Sequence, residues 1–355
     1  MSTTGTHLLR RVAVVAVVAL TLVATGCTNK GSVKPATGAD VMKLNVGQIS
    51  NSVAFFPIFV AEDQGYFTAE GLTLGDRPRL GTGAKLAAAL QAGSIDVAGG
   101  VMTDAFNLYK INPKTRVVGT LVDEYYVDVI VGTGFPASLD SAPLAERVKA
   151  MRGKKIGITG PGSGTEALLT YLLKQQGLSP KTDVTLVNLG ADASASIDAL
   201  KAGRVDALSF FQPIGQQAEA TGVGRIYISP ARGDIPELTG ALHGALFTTQ
   251  DVIDGKGKAL SAFLRAIAKA ERTITDDPTK AKQLLQKYQA TVNPATVTAL
   301  VPILQKEIPK DPTPTADGYA KSAAFHQQSD LVTSPPSFAD MVPSSFISAA
   351  LKAGN

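Results

Sequence analysis

Nine short runs of β-forming residues, separated by helical patterns or turns, organise the chain from Lys43 to Thr249. They lie at 43–49 (KLNVGQI), 95–100, 116–122, 126–132, 154–160, 183–189, 205–211, 225–229 and 245–249. Strand–helix alternation of this kind predicts α/β layers on a largely parallel sheet. Beyond Asp251 the strand signal stops. Residues 256–275, 278–289 and 294–306 read as helices, and the stretch from Pro309 to Pro343 carries broken helix.

One internal echo divides the α/β part. LAAALQAGSIDVA (86–98) and SIDALKAGRVDAL (196–208) share the core L-x-A-G-x-[IV]-D. In each copy a helix ends at Gly93 or Gly203, where glycine can take the left-handed conformation that closes a helix. Asp96 or Asp206 then stands at the entrance of a strand. The echo predicts two related α/β lobes; the alternative is turn chemistry common to α/β chains. The expected organisation is a first lobe over 43–132 and a second over 133–243. Residues 244–355 then return to the first lobe and pack their helices on it. Two crossing strands form a hinge beside a cleft, and ligands of open α/β sheets bind at the carboxyl ends of strands.

The start of the chain reads as a targeting segment over 1–27. Arg10 and Arg11 precede an apolar run of 13 residues, Val12 to Ala24, which is too short to span a bilayer comfortably. Cys27 follows in VATGC, which resembles a bacterial lipoprotein box, with Ala24 where Leu is usual. Residues 28–42 are polar and rich in Gly and Pro at their start, as a tether is. These features predict an exported chain, lipid-anchored through Cys27 at the outer face of the cytoplasmic membrane.

Composition removes several classes. With 45% hydrophobic and 18% charged residues, the 355-residue chain has ample material for a core. A single Cys excludes a disulfide framework and a multi-Cys metal site. His7, His243 and His326 lie too far apart for a local metal motif, and His243 and His326 read as surface or packing residues. The formal charge is +4, and removal of Arg10 and Arg11 leaves 32 basic against 30 acidic residues. No basic stripe suits nucleic acid. No nucleophile elbow or H-E-x-x-H motif is present.

Four loops follow predicted strands and open helices. Gly160–Glu166 (GPGSGTE) places free amides at a helix start, where the dipole attracts anions. The same residues contain a capping box, Ser163-x-x-Glu166, that satisfies its own donors; both readings stay open. The other loops hold Ser50, Asn51 and Ser52; Gly81 and Thr82; and Thr103 and Asp104, either of which suits an N-cap. Aromatic pairs recur at strand ends: Phe55-Phe56, Tyr125-Tyr126 and Phe210-Phe211, the last followed by Gln212. Alternation sends one member of such a pair to the core and one to the opposite face.

Taken together, FFPIFVAEDQGYFTAEGLTL (55–74), the Gly-Thr-Gly loop, LQAGSIDVAGG, RGKKIGITGPGSGTEALLTYLLKQQGL (152–178) and LKAGRVDAL resemble the substrate-binding proteins of ABC importers in the nitrate, taurine, aliphatic-sulfonate and thiamine-precursor group. The resemblance runs from about Lys43 to Tyr288. It implies the type II periplasmic-binding fold and capture of a small solute for a permease with its ATPase. It implies no cofactor, no metal and a monomeric protein. Family ligands sit between strand-end loops of both lobes. That points to Ser50, Asn51, Ser52, Phe55, Phe56, Gly81, Thr82, Thr103, Asp104, Ser163, Gly164, Thr165, Phe211 and Gln212, with Tyr125 and Tyr126 near the hinge. Related enzymes that make the thiamine pyrimidine carry a Cys-rich motif, which a chain with Cys27 alone lacks. The Gly-rich helix start favours a small organic anion, sulfonate-, nitrate- or carboxylate-like, and this is the expectation adopted. The aromatic pairs favour a planar heterocycle such as a thiamine-pyrimidine precursor. No Arg falls in a cleft loop, Arg77 and Arg79 lying on a polar turn. A lipid-anchored sensor or an exported enzyme on the same scaffold are the other readings.

Overall fold

The computed structural model describes residues 42–353. Cys27, the apolar run and nearly all of the tether lie outside the described residues. Eleven strands are present among them: β1 Lys43–Leu44, β2 Val46–Gln48, β3 Thr73–Leu74, β4 Val97–Val101, β5 Thr115–Val122, β6 Val127–Gly132, β7 Lys155–Ile158, β8 Thr185–Asn188, β9 Ala207–Phe211, β10 Gly224–Ile228 and β11 Gly244–Thr249. Each of the nine β-like runs contributes at least one of them.

The strands form two separate sheets. The first has the order β2-β4-β11-β5 and the second β10-β6-β9-β7-β8, with a small β1-β3 pair beside the first. The expectation of a largely parallel sheet is corrected. Pairs β2/β4, β7/β8 and β7/β9 are parallel, whereas β4/β11, β11/β5, β10/β6 and β6/β9 are antiparallel. The reason is the chain's path. The strands of the βα units point their carboxyl ends at the space between the sheets. β6 and β11 enter their sheets from that space and therefore run the other way.

A boundary moves as well. β6 was expected to close the first lobe at residue 132, but it pairs with β9 and β10 in the second sheet. The crossing is Asp123–Tyr126. The return crossing ends at His243, whose amide donates to the Val122 carbonyl at 3.1 Å, tying the two crossings together.

The sequence echo has a structural counterpart. Gly93 and Gly203 adopt φ of 70° and 65°. The Asn45 amide donates to Asp96 Oδ2 and the Lys155 amide to Asp206 Oδ2, both at 2.8 Å and both across 51 residues. Each aspartate thus pins the start of the neighbouring parallel strand.

On the first sheet packs the long helix Gln250–Asp276. Leu260, Phe263, Leu264, Ile267 and Ile274 recur on one face and are fully buried. Phe263 stacks on Phe67 with centroids 5.1 Å apart. Lys256 leaves helical geometry at φ −130°, and its ammonium bonds both oxygens of Asp96 at 2.9 Å. The helix expected from residue 256 is the portion beyond this kink. Helices Pro278–Tyr288 and Pro294–Glu307 follow, as expected within a residue or two.

The C-terminal part does not rest on the first lobe alone. Phe325, on the helix Ala316–Gln328, is buried in the core of the second lobe, and Lys174 pairs with Asp330 at 2.6 Å. Ahead of it, Gln212 Nε2 donates to Glu307 Oε1 at 2.9 Å, linking the end of β9 to the helix Pro294–Glu307. Burial, with Asp128, Glu124 and Asp123 nearby, pushes Glu307 up to about 8. Between its ordinary value of 4.5 and about 8 the native chain holds a proton that the unfolded chain releases, so stability falls as pH rises through this window. Glu307→Gln keeps the acceptor for Gln212 and removes the titration. Its melting temperature is expected to exceed the wild type's by several degrees at pH 8.5 and to match it at pH 4. A gap independent of pH would assign the coupling elsewhere.

Candidate functional site

Between the sheets lies a cavity of about 560 Å³. Its walls come from the loops expected to face it. The first lobe contributes Ser50, Ser52 and Phe55 after β2, Gly81 to Ala84 at the start of the helix Gly83–Gln91, and Asp104 and Asn107 on the helix Met102–Ile111. The second contributes Thr159 to Thr165 after β7, Asn188, Gly190 and Ala191 after β8, and Phe211 at the end of β9. Tyr126 and His243 come from the two crossings.

The three aromatic pairs divide as alternation requires. Phe55, Tyr126 and Phe211 line the cavity. Phe56 stacks on Tyr288 in the first core, and Phe210 is buried in the second. Tyr125 lies behind the wall, its hydroxyl donating to the Gly164 carbonyl at 2.6 Å and its ring 3.9 Å from that of His243.

Besides Phe56 and Tyr125, three more of the expected residues are not at the surface of the cavity. Asn51 accepts from Arg79 Nε at 2.8 Å. Thr103 is fully buried and bonds His326 Nε2 at 2.7 Å, and Gln212 is held by Glu307. Phe56 is in the core. Ser50, Ser52, Phe55, Gly81, Thr82, Asp104, Tyr126, Ser163, Gly164, Thr165 and Phe211 do line it. Sequence reading missed Asn107, Asn188 and His243. Asn188 ends a strand and was within reach of the strand-end rule; Asn107, two turns into a helix, carried no signal. Of the two distant histidines, read as surface or packing residues, His243 packs against Tyr125 and Tyr126 and also forms part of the wall. His326 packs in the core, its Nδ1 bonding the Ser322 carbonyl at 2.7 Å.

Electrostatics separate the two ligand expectations. No Lys or Arg lines the cavity among the described residues. Arg79 is turned to Asn51 and Arg77 pairs with Glu62. The loop before the helix start at Gly164 is braced from within the chain. The Gly162 amide donates to Glu166 Oε2 at 2.6 Å, the Glu166 amide to Ser163 Oγ at 3.3 Å, and the Thr159 amide to Thr165 Oγ1 at 3.0 Å. The Glu166 carboxylate thus takes one amide of this loop, that of Gly162.

Among the described residues, Asp104 is the one carboxylate of the wall. It is 7% exposed, and its Oδ2 accepts the Val101 amide at 3.1 Å. It is not an N-cap but lies in the first turn and reaches back. Burial pushes it up to about 7, against the pull of that one hydrogen bond. His243 is held well below its usual range by burial, with His326 adding to the effect, so its ring is neutral; its Nδ1 has no partner among the described residues. Across the cavity mouth, Asn107 Nδ2 donates to the Gly162 carbonyl at 3.2 Å, a direct bond between the lobes.

Residues 37–288 match the model of the NMT1-like family. The chain belongs to the NMT1-like family. It is 21% identical over 247 residues to the putative binding protein YtlA of Bacillus subtilis (strain 168), covering 67% of this chain and 68% of that one. Two solved structures align over most of their length. One is the ligand-binding component of an ABC-type import system from Staphylococcus aureus, with zinc bound (TM-score 0.70, 18% identity, 87% of this chain and 99% of that one). The other is the alkanesulfonate-binding protein SsuA from Xanthomonas axonopodis pv. citri bound to MOPS (TM-score 0.67, 19% identity, 85% and 98%). At such identities the likeness is one of fold, the two-lobed fold of periplasmic binding proteins.

Proposed function

We propose that this NMT1-like protein is the extracytoplasmic solute-binding component of an ABC importer, lipid-anchored through Cys27, and that it captures a small planar heterocycle rather than an organic anion. Capture here means binding between the lobes and release to a permease, without turnover. The observation that carries the choice of ligand is the cavity wall: three aromatic rings, Phe55, Tyr126 and Phe211, and one charged side chain, the carboxylate of Asp104. A buried sulfonate needs strong donors. Among the described residues this wall offers it neither guanidinium nor ammonium. The expectation of an anion rested on the Gly-rich helix start; the lining of the wall favours its alternative. Flat rings stack against aromatic side chains with centroids some 4.5–7 Å apart, and a cavity of about 560 Å³ accommodates a one- or two-ring solute.

The test is a thermal-shift panel on the detergent-solubilised full chain. It contains pyrimidines, purines and thiamine on one side, and taurine, alkyl- and arylsulfonates, nitrate and aromatic carboxylates on the other. A ligand at 100 times its dissociation constant stabilises the native state by ~2.7 kcal/mol, a shift of a few degrees. Shifts confined to heterocycles support the reading, and a shift with a sulfonate or nitrate overturns it. Loss of uptake of the binding solute on deletion of the gene separates a transporter component from a sensor.

A further inference from the structure

We propose that a basic depression on the first lobe rests on anionic phospholipid headgroups, and so sets how the tethered protein lies on its membrane. The inference rests on the reading of Cys27 as a lipid anchor. It concerns a face that shares no residue with the interlobe cavity.

The first observation is a group of cations without enough counter-charge. The depression, of about 460 Å³, opens on the long helix Gln250–Asp276. Arg265, Lys269 and Arg272 stand at i, i+4 and i+7, on the face opposite the buried Leu260, Phe263 and Ile267. Lys352 adds a fourth cation from the end of the helix Ser344–Lys352, and Thr313 and Ser348 add hydroxyls. Arg265 is held inside the chain, its Nε donating to Glu70 at 2.7 Å and its Nη1 to the Ala350 carbonyl at 3.1 Å. Lys269 lies 4.5 Å over the Tyr66 ring, a contact that leaves its N–H donors free. Arg272 and Lys352 are exposed, and among the described residues neither side chain has a hydrogen bond or an ion pair. The acid one turn beyond Arg272, Asp276, pairs with Lys310 instead. The two carboxylates of the depression are already engaged, Glu70 by Arg265 and Asp311 by the Thr313 amide at 2.9 Å. Like charges one helical turn apart repel, and phosphate oxygens relieve that repulsion.

The second observation is where the chain enters the fold. Residues 28–42 connect Cys27 to the first strand. The Met42 carbonyl accepts from the Thr73 amide at 2.9 Å, just past Glu70, the partner of Arg265. The tether therefore joins the lobe beside the depression, and an anchored chain presents this face to the headgroups. Lys and Arg side chains there lie within reach of the surface potential of an anionic bilayer, which extends about a Debye length, ~10 Å at 0.1 M salt. Exposed cations on two helices suit an extended sheet of phosphates better than one enclosed ion.

The chain contains no Trp, so one introduced indole reports alone. Ser348→Trp places it at the depression. Ser141→Trp, exposed ahead of the helix Leu144–Lys149 of the second lobe, is the control. The full lipidated chain is added to vesicles that carry a doxyl-labelled lipid quencher, either in phosphatidylcholine alone or with a third of the lipid as phosphatidylglycerol. The indole of Ser348→Trp is expected to be quenched at least twofold more on the anionic vesicles. The excess should vanish at high salt, and on adding Arg272→Glu and Lys352→Glu, and be absent for Ser141→Trp. Equal quenching on both vesicles overturns the proposal, as does an excess that survives the two charge reversals at an unchanged melting temperature. An equal response to free glycerol phosphate in detergent overturns the membrane as occupant. If the doubly reversed variant does not fold, the salt dependence of the excess decides. Flotation separates the two readings. A chain that floats with both vesicles but is quenched equally keeps its anchor and loses the basic face. One that floats only with anionic vesicles keeps the face and loses the anchor, and one that floats with neither loses both.

Discussion

Gly83→Ala is expected to abolish solute binding while the protein still folds. The added methyl would overlap Asp104 Oδ1 at 1.6 Å and its Cγ at 2.3 Å, distances that no small shift relieves. The Asp104 side chain must leave its rotamer, losing its bond to Val101 and its position at the wall. Neither lobe's sheet is touched, since Gly83 opens a surface helix whose N-cap, Thr82, accepts from the Lys85 amide through its side chain. The effect on stability should be modest, about 1–2 kcal/mol for a forced rotamer and a lost hydrogen bond, whereas affinity for the panel ligand should fall at least tenfold. Gly134→Ala is the control, because a Cβ there meets nothing within 4 Å. Titration of both variants with the ligand identified in the thermal-shift panel checks the point. Undiminished affinity in Gly83→Ala would remove Asp104 from the site.

Glu271→Met should make the protein more stable, and more so as pH rises. Glu271 is fully buried on the long helix Gln250–Asp276, and neither carboxyl oxygen has a partner among the described residues. Burial pushes it well above the usual carboxylate range, with Asp311 and Asp123 adding to the effect. The native state therefore keeps a proton that the unfolded state gives up above about pH 4.5, and each further unit of pH favours unfolding until the native group ionises. A methionine of similar length fills the space, favours helix and carries no polar atom to desolvate. Removing an unpartnered buried polar group is worth about 1–3 kcal/mol, a rise of a few degrees in melting temperature. The gain should be greater at pH 8 than at pH 4. Equal melting curves at both pH values would mean that the carboxyl is hydrated.

Much of the architecture was legible because it depends on local patterns. Short apolar runs rich in β-branched or aromatic residues mark Val127–Gly132 and Ala207–Phe211 as strands, and Pro278 and Pro294 announce helix starts. The Ala-Gly helix ends at Gly93 and Gly203, each followed by an aspartate, give the repeat. The polarity of β6 and β11 was not legible. A strand's sequence records which faces are buried but not which way its neighbours run. Nor was the destination of the C-terminal helix Ala316–Gln328, whose Phe325 joins the second core although most of the tail packs on the first.

At the site, the strand-end rule located the loops but not which side chains turn inward. Phe55 and Phe56 are adjacent and equally apolar; one lines the cavity and the other meets Tyr288, more than two hundred residues away. Free amides in the loop Gly160–Glu166 favoured an anion; Glu166 takes the Gly162 amide from within the chain, and Asp104, which the sequence offered as a cap, lies in the cavity wall. By itself the sequence determined the elements, the two-lobed repeat and the family resemblance, because these follow from short-range periodicity and turn chemistry. Only the tertiary structure decided which charged side chains reach the cavity wall, because that depends on which of them meet a partner across the fold.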